Sequence, residues 1–385
     1  MMTRYRSKIR RCWWLGLGLL LLGMCLTGCQ QRVTVATPTQ APRGFVASAN
    51  GATATDRRRA QQVAHFVQTK LVTKQGVRTN YLDSKKRTGA VATGHELLSE
   101  SSGMWLQYLA ATHQWGAFRD FYSATKRTFD DRGQFSYRYD PRTKKKAAVN
   151  ATLDDLRIIR ALLAYDEAYG TRYYRKEATN RYQTLVNTSL KDGQLVDYYD
   201  MHSRKAAKTA SLAYFDLKTL RYFERDTKTG RQQYRRQVKA VQGGYLGDAF
   251  PLYAASYQWT TAAYSDKDLN TSEALETLLH LAEVGKLKAT SRNWLIQRVR
   301  NRDLQNGYTT LGVVSVRGES AANYALAAMI FATLGESNHY QQALRAAWRA
   351  QITDASSPLV GALGNAKTQK VYAYNNLTVL NAVLN

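Results

Sequence analysis

Five glycines divide most of this 385-residue chain at near-constant intervals: Gly116, Gly170, Gly230, Gly285 and Gly335, spaced 54, 60, 55 and 50 residues apart. Each follows a stretch that reads as helical, and an aromatic comes soon after: Phe121, Tyr174, Tyr234, Trp294 and Tyr340. A glycine so placed reads as the left-handed residue at which a helix ends and the chain turns back. The period leaves room for two helices of about 15 to 20 residues plus turns, so the unit is an αα-hairpin. Residues 53–385 hold six such units as one domain. Six hairpins close a ring whose concave face can hold a long ligand.

Local signals support helices. Asn270 can cap a helix with Glu273 as its capping-box partner; Leu275, Leu278, Leu279 and Ala282 form one apolar stripe, and Gly285 stops it. Between Ser320 and Gly335, the alanines 321, 322, 325, 327 and 328 mark an inner helix with little room around it. Strand candidates are short, such as Leu311 to Val316, which could form a small hairpin at the rim. The expected class is all-α.

The first residues stand apart. Arg4, Arg6, Lys8, Arg10 and Arg11 precede an apolar run from Trp13 to Leu26, too short for a comfortable membrane span. The run ends in Leu26-Thr27-Gly28-Cys29, which resembles a bacterial lipobox. On that reading residues 1–28 are a lipoprotein signal peptide, Cys29 is lipidated, and 29–52 form a flexible tether. The competing reading is an uncleaved anchor. Both put the rest of the chain outside the cytoplasmic membrane. The other cysteines, Cys12 and Cys25, lie in the leader, so a processed chain has neither a disulfide nor a thiol metal site.

A formal net charge of +26 points to anionic surroundings: lipid headgroups, wall polymers or an acidic polysaccharide. Nucleic acid is not an expected partner of an exported protein. The 25 tyrosines suit stacking on sugars, although helix contacts compete for them.

Six histidines without metal spacing, no Gly-x-Ser-x-Gly and no phosphate loop leave carboxylates as the chemical groups, with no metal or cofactor expected. Acetal hydrolysis needs a pair of them, one to protonate the leaving oxygen and one to activate water or attack carbon. Glu100 stands among small residues ahead of an apolar helix, Asp154 and Asp155 open another, and Asp248 lies in a glycine-rich stretch ending at Pro251. For each, a helix N-cap or first-turn role is the competing explanation.

Four segments in order resemble family 8 glycoside hydrolases. Ser99, Glu100, Gly103 and Met104 match the frame of a Ser-Glu-Gly-Gln-Gly-Tyr-Gly-Met stretch, here shortened. Ala151, Thr152, Asp155 and Leu156 match Ala-Thr-Asp-Ala-Asp-Leu, with Leu153 in place of its first Asp. Leu212-Ala213-Tyr214-Phe215 resembles a Pro-Ser-Tyr-Phe stretch; Asp248, Ala249 and Pro251 match a Tyr-Asp-Ala-x-Arg-x-Pro stretch that lacks its Arg here. The departures are similar to a divergent branch, the Gram-positive lipoproteins linked to exopolysaccharide synthesis.

That resemblance implies an (α/α)6 barrel and an endo-acting, inverting hydrolase, with Glu100 as general acid and Asp248 as general base. Their carboxyls would stand roughly 6.5 to 9.5 Å apart. A helix N-terminus favours ionised Glu100, so burial or a nearby carboxylate must raise its pKa. Asp155, favoured by alignment, or Asp154 would supply that carboxylate and hold the sugar. Tyr214 carries over as a cleft residue. Asp200 and Tyr198, from the Asp197-Tyr198-Tyr199-Asp200 cluster, are further sugar-binding candidates, and His95, Trp105 and Tyr245 could line subsites. The expected partners are a polysaccharide, the membrane through lipidated Cys29, and exopolysaccharide synthase machinery. A non-catalytic polysaccharide-binding lipoprotein on the same toroid and a polysaccharide lyase remain open.

Overall fold

The computed structural model describes residues 34–46, 51–88 and 91–384. Cys29 and the leader, with the lipidation expected there, lie outside the described residues.

Twelve α-helices occur among the described residues. The first six are α1 (Ala54–Phe66), α2 (Ser99–Ala111), α3 (Trp115–Phe129), α4 (Thr152–Tyr169), α5 (Arg175–Val186) and α6 (Leu217–Glu224). Then come α7 (Lys228–Gly243), α8 (Thr271–Glu283), α9 (Ala289–Asn301), α10 (Ala321–Thr333), α11 (Ser337–Ala347) and α12 (Ala373–Leu384). The even-numbered helices pack in a cycle: α2 on α4, α4 on α6, α6 on α8, α8 on α10, α10 on α12, and α12 back on α2. Most odd-numbered helices pack on an even-numbered neighbour, and α1 completes the sixth pair with α12. Burial follows that division. Helix α4 buries residues on every side, including Leu153, Leu156, Ile158, Ile159 and Leu162, whereas α7 buries only Gly230, Gln237, Ala240 and Val241. An all-round apolar helix belongs inside and a one-sided helix outside.

The glycine reading needs two corrections. Gly170, Gly285 and Gly335 do turn the chain in the left-handed region after α4, α8 and α10, with φ of 63°, 69° and 74°. Gly116 and Gly230 instead lie inside the first turns of α3 and α7. His113, with φ 57°, takes the left-handed position after α2. Gly230 is small for another reason: a Cβ there would sit 2.3 Å from the Glu224 carbonyl oxygen. The period still marks every inner-to-outer turn it was read from.

The rim hairpin is present. Val314–Val316 pairs antiparallel with Gly307–Tyr308, which in turn pairs with Leu269–Asn270 just ahead of α8. Other ladders of two or three residues, such as Leu97–Leu98 with Arg138–Asp140, precede inner helices in the same way. They are too short to leave an alternating pattern in the sequence.

A loose tether is not what residues 35–46 form. The Glu167 carboxylate accepts the backbone N–H groups of Gly44, Phe45 and Val46, and Tyr222 donates its hydroxyl to the Gln40 carbonyl at 2.9 Å. Phe45 is buried edge-on against Tyr222. The partners lie more than a hundred residues away, so local composition carries no trace of them.

Candidate active site

The first turns of four inner helices meet in one cluster of charge. Helices α2 and α4 approach closely because residue 103 is glycine; a Cβ there would touch the Arg157 Cβ at 3.0 Å. That contact sets Glu100, the second residue of α2, against the first turn of α4. Arg157 Nη1 donates to Glu100 Oε1 at 3.3 Å and to Asp154 Oδ1 at 3.2 Å, and its Nη2 donates to Glu276 on α8. Tyr374, on α12, donates its hydroxyl to the same Glu276 oxygen at 2.9 Å. Ser99 donates to the second Asp154 oxygen at 2.9 Å. Helices α4 and α8 are separated in the cycle by α6, and α8 and α12 by α10, so these bonds reach across the ring rather than along its wall.

Electrostatics distinguish the members. Glu100 keeps a quarter of its side chain exposed yet has protein on nearly every side. Burial raises its pKa, Arg157 pulls it back, and Asp154 and Glu276 push it up again, leaving it at about 7. Asp154 is raised to about 6, chiefly by burial. Glu273, three residues before Glu276 on α8, is solvent-accessible but flanked by protein, and its pKa rises to about 7 through burial and then the carboxylates of Glu276, Asp197 and Glu100. Its carboxylate has no hydrogen bond or ion pair among the described residues. Tyr214 stands among the same groups; burial, then Asp154, Asp197 and Glu273, hold its hydroxyl far above the usual range.

One turn deeper on α4, Arg160 bonds to Asp216 and Glu283. His280 lies beside these two acids, close enough for the three to share a metal ion. Arg160 already occupies both carboxylates, so a cation there would meet a fixed positive charge.

The other sequence candidates fall in different places. Asp155, favoured over Asp154, points away from the cluster: it accepts the Phe135 N–H at 3.0 Å and the Asn150 amide at 2.8 Å, and Asn150 in turn accepts the Tyr199 N–H. It braces the loops ahead of α4, and Asp154 is the carboxylate beside Glu100. Asp248 is exposed and accepts the Tyr245 hydroxyl at 2.6 Å, which also bonds to Thr290 at the start of α9. The start of α9 follows the end of α8, and Glu273 lies near the beginning of α8, about 15 Å from that end along the helix. Asp248 and Tyr245 therefore share no bond with Glu100 and sit by an outer helix. Trp105 is buried and stacked on Tyr108, a core residue rather than a subsite wall. Asp200 closes a turn by accepting the N–H groups of His202 and Ser203. Tyr198 is exposed, and its neighbour Asp197 is the member of that segment which reaches the cluster, held by Thr209 and Ser211. His95 bonds to the Tyr81 carbonyl at 3.0 Å.

Arg157, Glu273, Glu276 and Tyr374 escaped the sequence reading. Asp154–Arg157 and Glu273–Glu276 are both three apart within the first two turns of a helix, hence on one face. Glu273 was assigned to a capping box, but Asn270 alone caps α8, accepting from Ser272 and Glu273.

No family profile matches the sequence. It is 23% identical over 250 residues to YdaJ of Bacillus subtilis (strain 168), whose name provisionally describes a lipoprotein; the match covers 64% of this chain and 68% of YdaJ. The structure is similar to that of a novel alpha-amylase from Clostridium perfringens, with a TM-score of 0.78, 25% identity, and 85% and 97% of the two chains covered. It is also similar to the family 8 endoglucanase Cel10 from Klebsiella pneumoniae, with a TM-score of 0.59, 15% identity, and 84% and 98% covered. Among the described residues no helix is long and apolar enough to cross a membrane. The chain has the fold of the family 8 glycoside hydrolases.

Proposed function

We propose that the protein is an endo-acting, inverting glycoside hydrolase built on an (α/α)6 barrel, acting on an exopolysaccharide outside the cytoplasmic membrane, where lipidated Cys29 tethers it. Glu100 is the general acid, and Glu273 replaces Asp248 as the general base. The observation that carries this reading is a carboxyl group, Glu100, held protonated to about pH 7 on an accessible wall of the ring. Protonated Glu100 gives its proton to the glycosidic oxygen as the bond from that oxygen to the anomeric carbon breaks. A water attacks the anomeric carbon from the opposite face and passes its proton to Glu273. Glu273 suits this role because its oxygens have no partner among the described residues; with its pKa raised like that of Glu100, the productive form is the one in which Glu100 holds the proton and Glu273 is ionised. Asp154 beside Glu100, and Tyr214 near Asp154 and Glu273, would hold sugar hydroxyls. The similarity to an alpha-amylase and to an endoglucanase supports hydrolysis of a glycan and leaves α- and β-linked chains both to be tried.

The test is an end-group assay on amylopectin, mixed-linkage β-glucan, xylan and purified bacterial surface polysaccharides, with proton NMR of the first-formed anomer. Release of internal fragments with inverted anomers is expected from at least one. Retained anomers contradict inversion, binding without release favours a non-catalytic binder, and unsaturated ultraviolet-absorbing products reveal a lyase.

A further inference from the structure

The charge excess of the sequence has a local focus that catalysis does not use. Helices α9 and α11 pack side by side, and between them runs an open groove of about 440 Å³. It is lined by Arg300, Arg302, Arg345 and Arg349, with Gln342 and the small apolar floor of Val299 and Ala346. No acidic residue lines it. Gln342, Arg345, Ala346 and Arg349 recur at spacings of three and four, so α11 and the turn that continues it present one face to the groove. All four arginines are exposed, and none makes an ion pair or side-chain hydrogen bond among the described residues. Of the acids nearest in sequence, Asp303 pairs with Arg298 and Glu336 with Arg292, while Asp354 accepts from Ser356 in its own turn.

Helix dipoles explain part of this. Arg300 and Arg302 stand at the C-terminal end of α9, and Arg345 and Arg349 at that of α11, where the helix dipole favours a cation. That term accounts for a cation at each helix end. It does not account for four guanidinium groups lining one groove that has no carboxylate among its described lining residues. Arginine rather than lysine at all four positions matters too, because a planar guanidinium binds an oxyanion through two parallel hydrogen bonds.

We propose that this groove is a binding site, separate from the carboxylate cluster, for a linear polyanion bearing phosphodiester or carboxylate groups. The groove is open and takes exposed cations from both helices, which suits a chain of charges rather than a single buried ion. It would keep the ring on an anionic polymer while the carboxylate cluster works on its own substrate.

The test uses the folded chain, with affinity electrophoresis in sodium polyphosphate, polygalacturonate and neutral dextran at several salt concentrations. Retardation is expected in one or both charged polymers and absent in dextran, weakening steeply with salt as counterions are displaced. The charged polymer that retards the protein identifies the oxyanion. A variant with Arg300, Arg302, Arg345 and Arg349 all changed to Gln should lose at least tenfold in affinity with an unchanged melting temperature. A control with Arg172, Lys191, Lys205 and Arg235 changed to Gln removes equal charge from exposed positions elsewhere and should lose no more than twofold. Equal losses in the two variants, or no binding of either charged polymer by the unmodified protein, would overturn the proposal.

Discussion

A single nitrogen of Arg157 bonds to both Glu100 and Asp154, at 3.3 and 3.2 Å, so the proposed acid and its neighbouring carboxylate are held by one cation. The same guanidinium reaches Glu276, and its side chain is nearly buried. Arg157→Met leaves three carboxylates without their counter-charge. Unfolding free energy is expected to fall by about 3 kcal/mol or more. Because Arg157 lowers the Glu100 pKa, its loss should move the alkaline limb of the pH–rate profile upward. Denaturant titration and a pH profile check both; unchanged values in the two would remove Arg157 from this role.

Glu273→Gln should reduce kcat by a factor of about 100 or more, the usual scale for losing a general base. Azide needs no base to act as a nucleophile, so adding it should restore turnover and give a glycosyl azide. Loss of activity without azide rescue would argue that Glu273 positions substrate and that another group activates water.

Asp154 and Asp155 are adjacent in sequence but separate in role. Asp154→Asn should depress activity and shift the alkaline limb downward, because the Asp154 charge helps to raise the Glu100 pKa. Asp155→Ala should instead destabilise the fold by about 2 kcal/mol or more, since the Phe135 N–H and the Asn150 amide lose their buried acceptor. Thermal melts beside kinetics on both variants separate the two; the reverse pattern contradicts the assignment.

The architecture was legible because a ring of hairpins repeats, and repetition survives errors at single positions. Gly116 and Gly230 are not left-handed, yet each still falls where an inner helix gives way to an outer one. Glu100 was legible because Gly103 and the small residues around it create the close approach to Arg157. The proposed partner carboxylate was not. Asp248 sits in a segment with the right residue types, whereas Glu273 reads as an ordinary first-turn acid beside an N-cap. What distinguishes Glu273 is the convergence of helices far apart in sequence, which no local pattern contains. The strap at 35–46 was missed for the same reason.

Glu224 offers a pH test away from the site. It is buried between Tyr182 and Gln237, and burial raises its pKa to about 7 despite their hydrogen bonds. A raised folded-state pKa means stability that is present below the ordinary glutamate value and lost as pH rises through about 7. The melting temperature of the protein should therefore fall between pH 5 and about 8. Glu224→Gln, which keeps an acceptor for Tyr182, should make that fall shallower, with Glu100, Asp154 and Glu273 still contributing to it, and leave kcat unchanged. An equally steep decline in the variant contradicts the assignment.

The central claim is that Glu100 supplies the proton that breaks a glycosidic bond. The direct measurement is reducing-end release by Glu100→Gln on the best substrate of the unmodified protein, with circular dichroism confirming the fold. The account predicts a loss of activity by a factor of about 100 or more with polysaccharide binding retained. Full activity in that variant would contradict it.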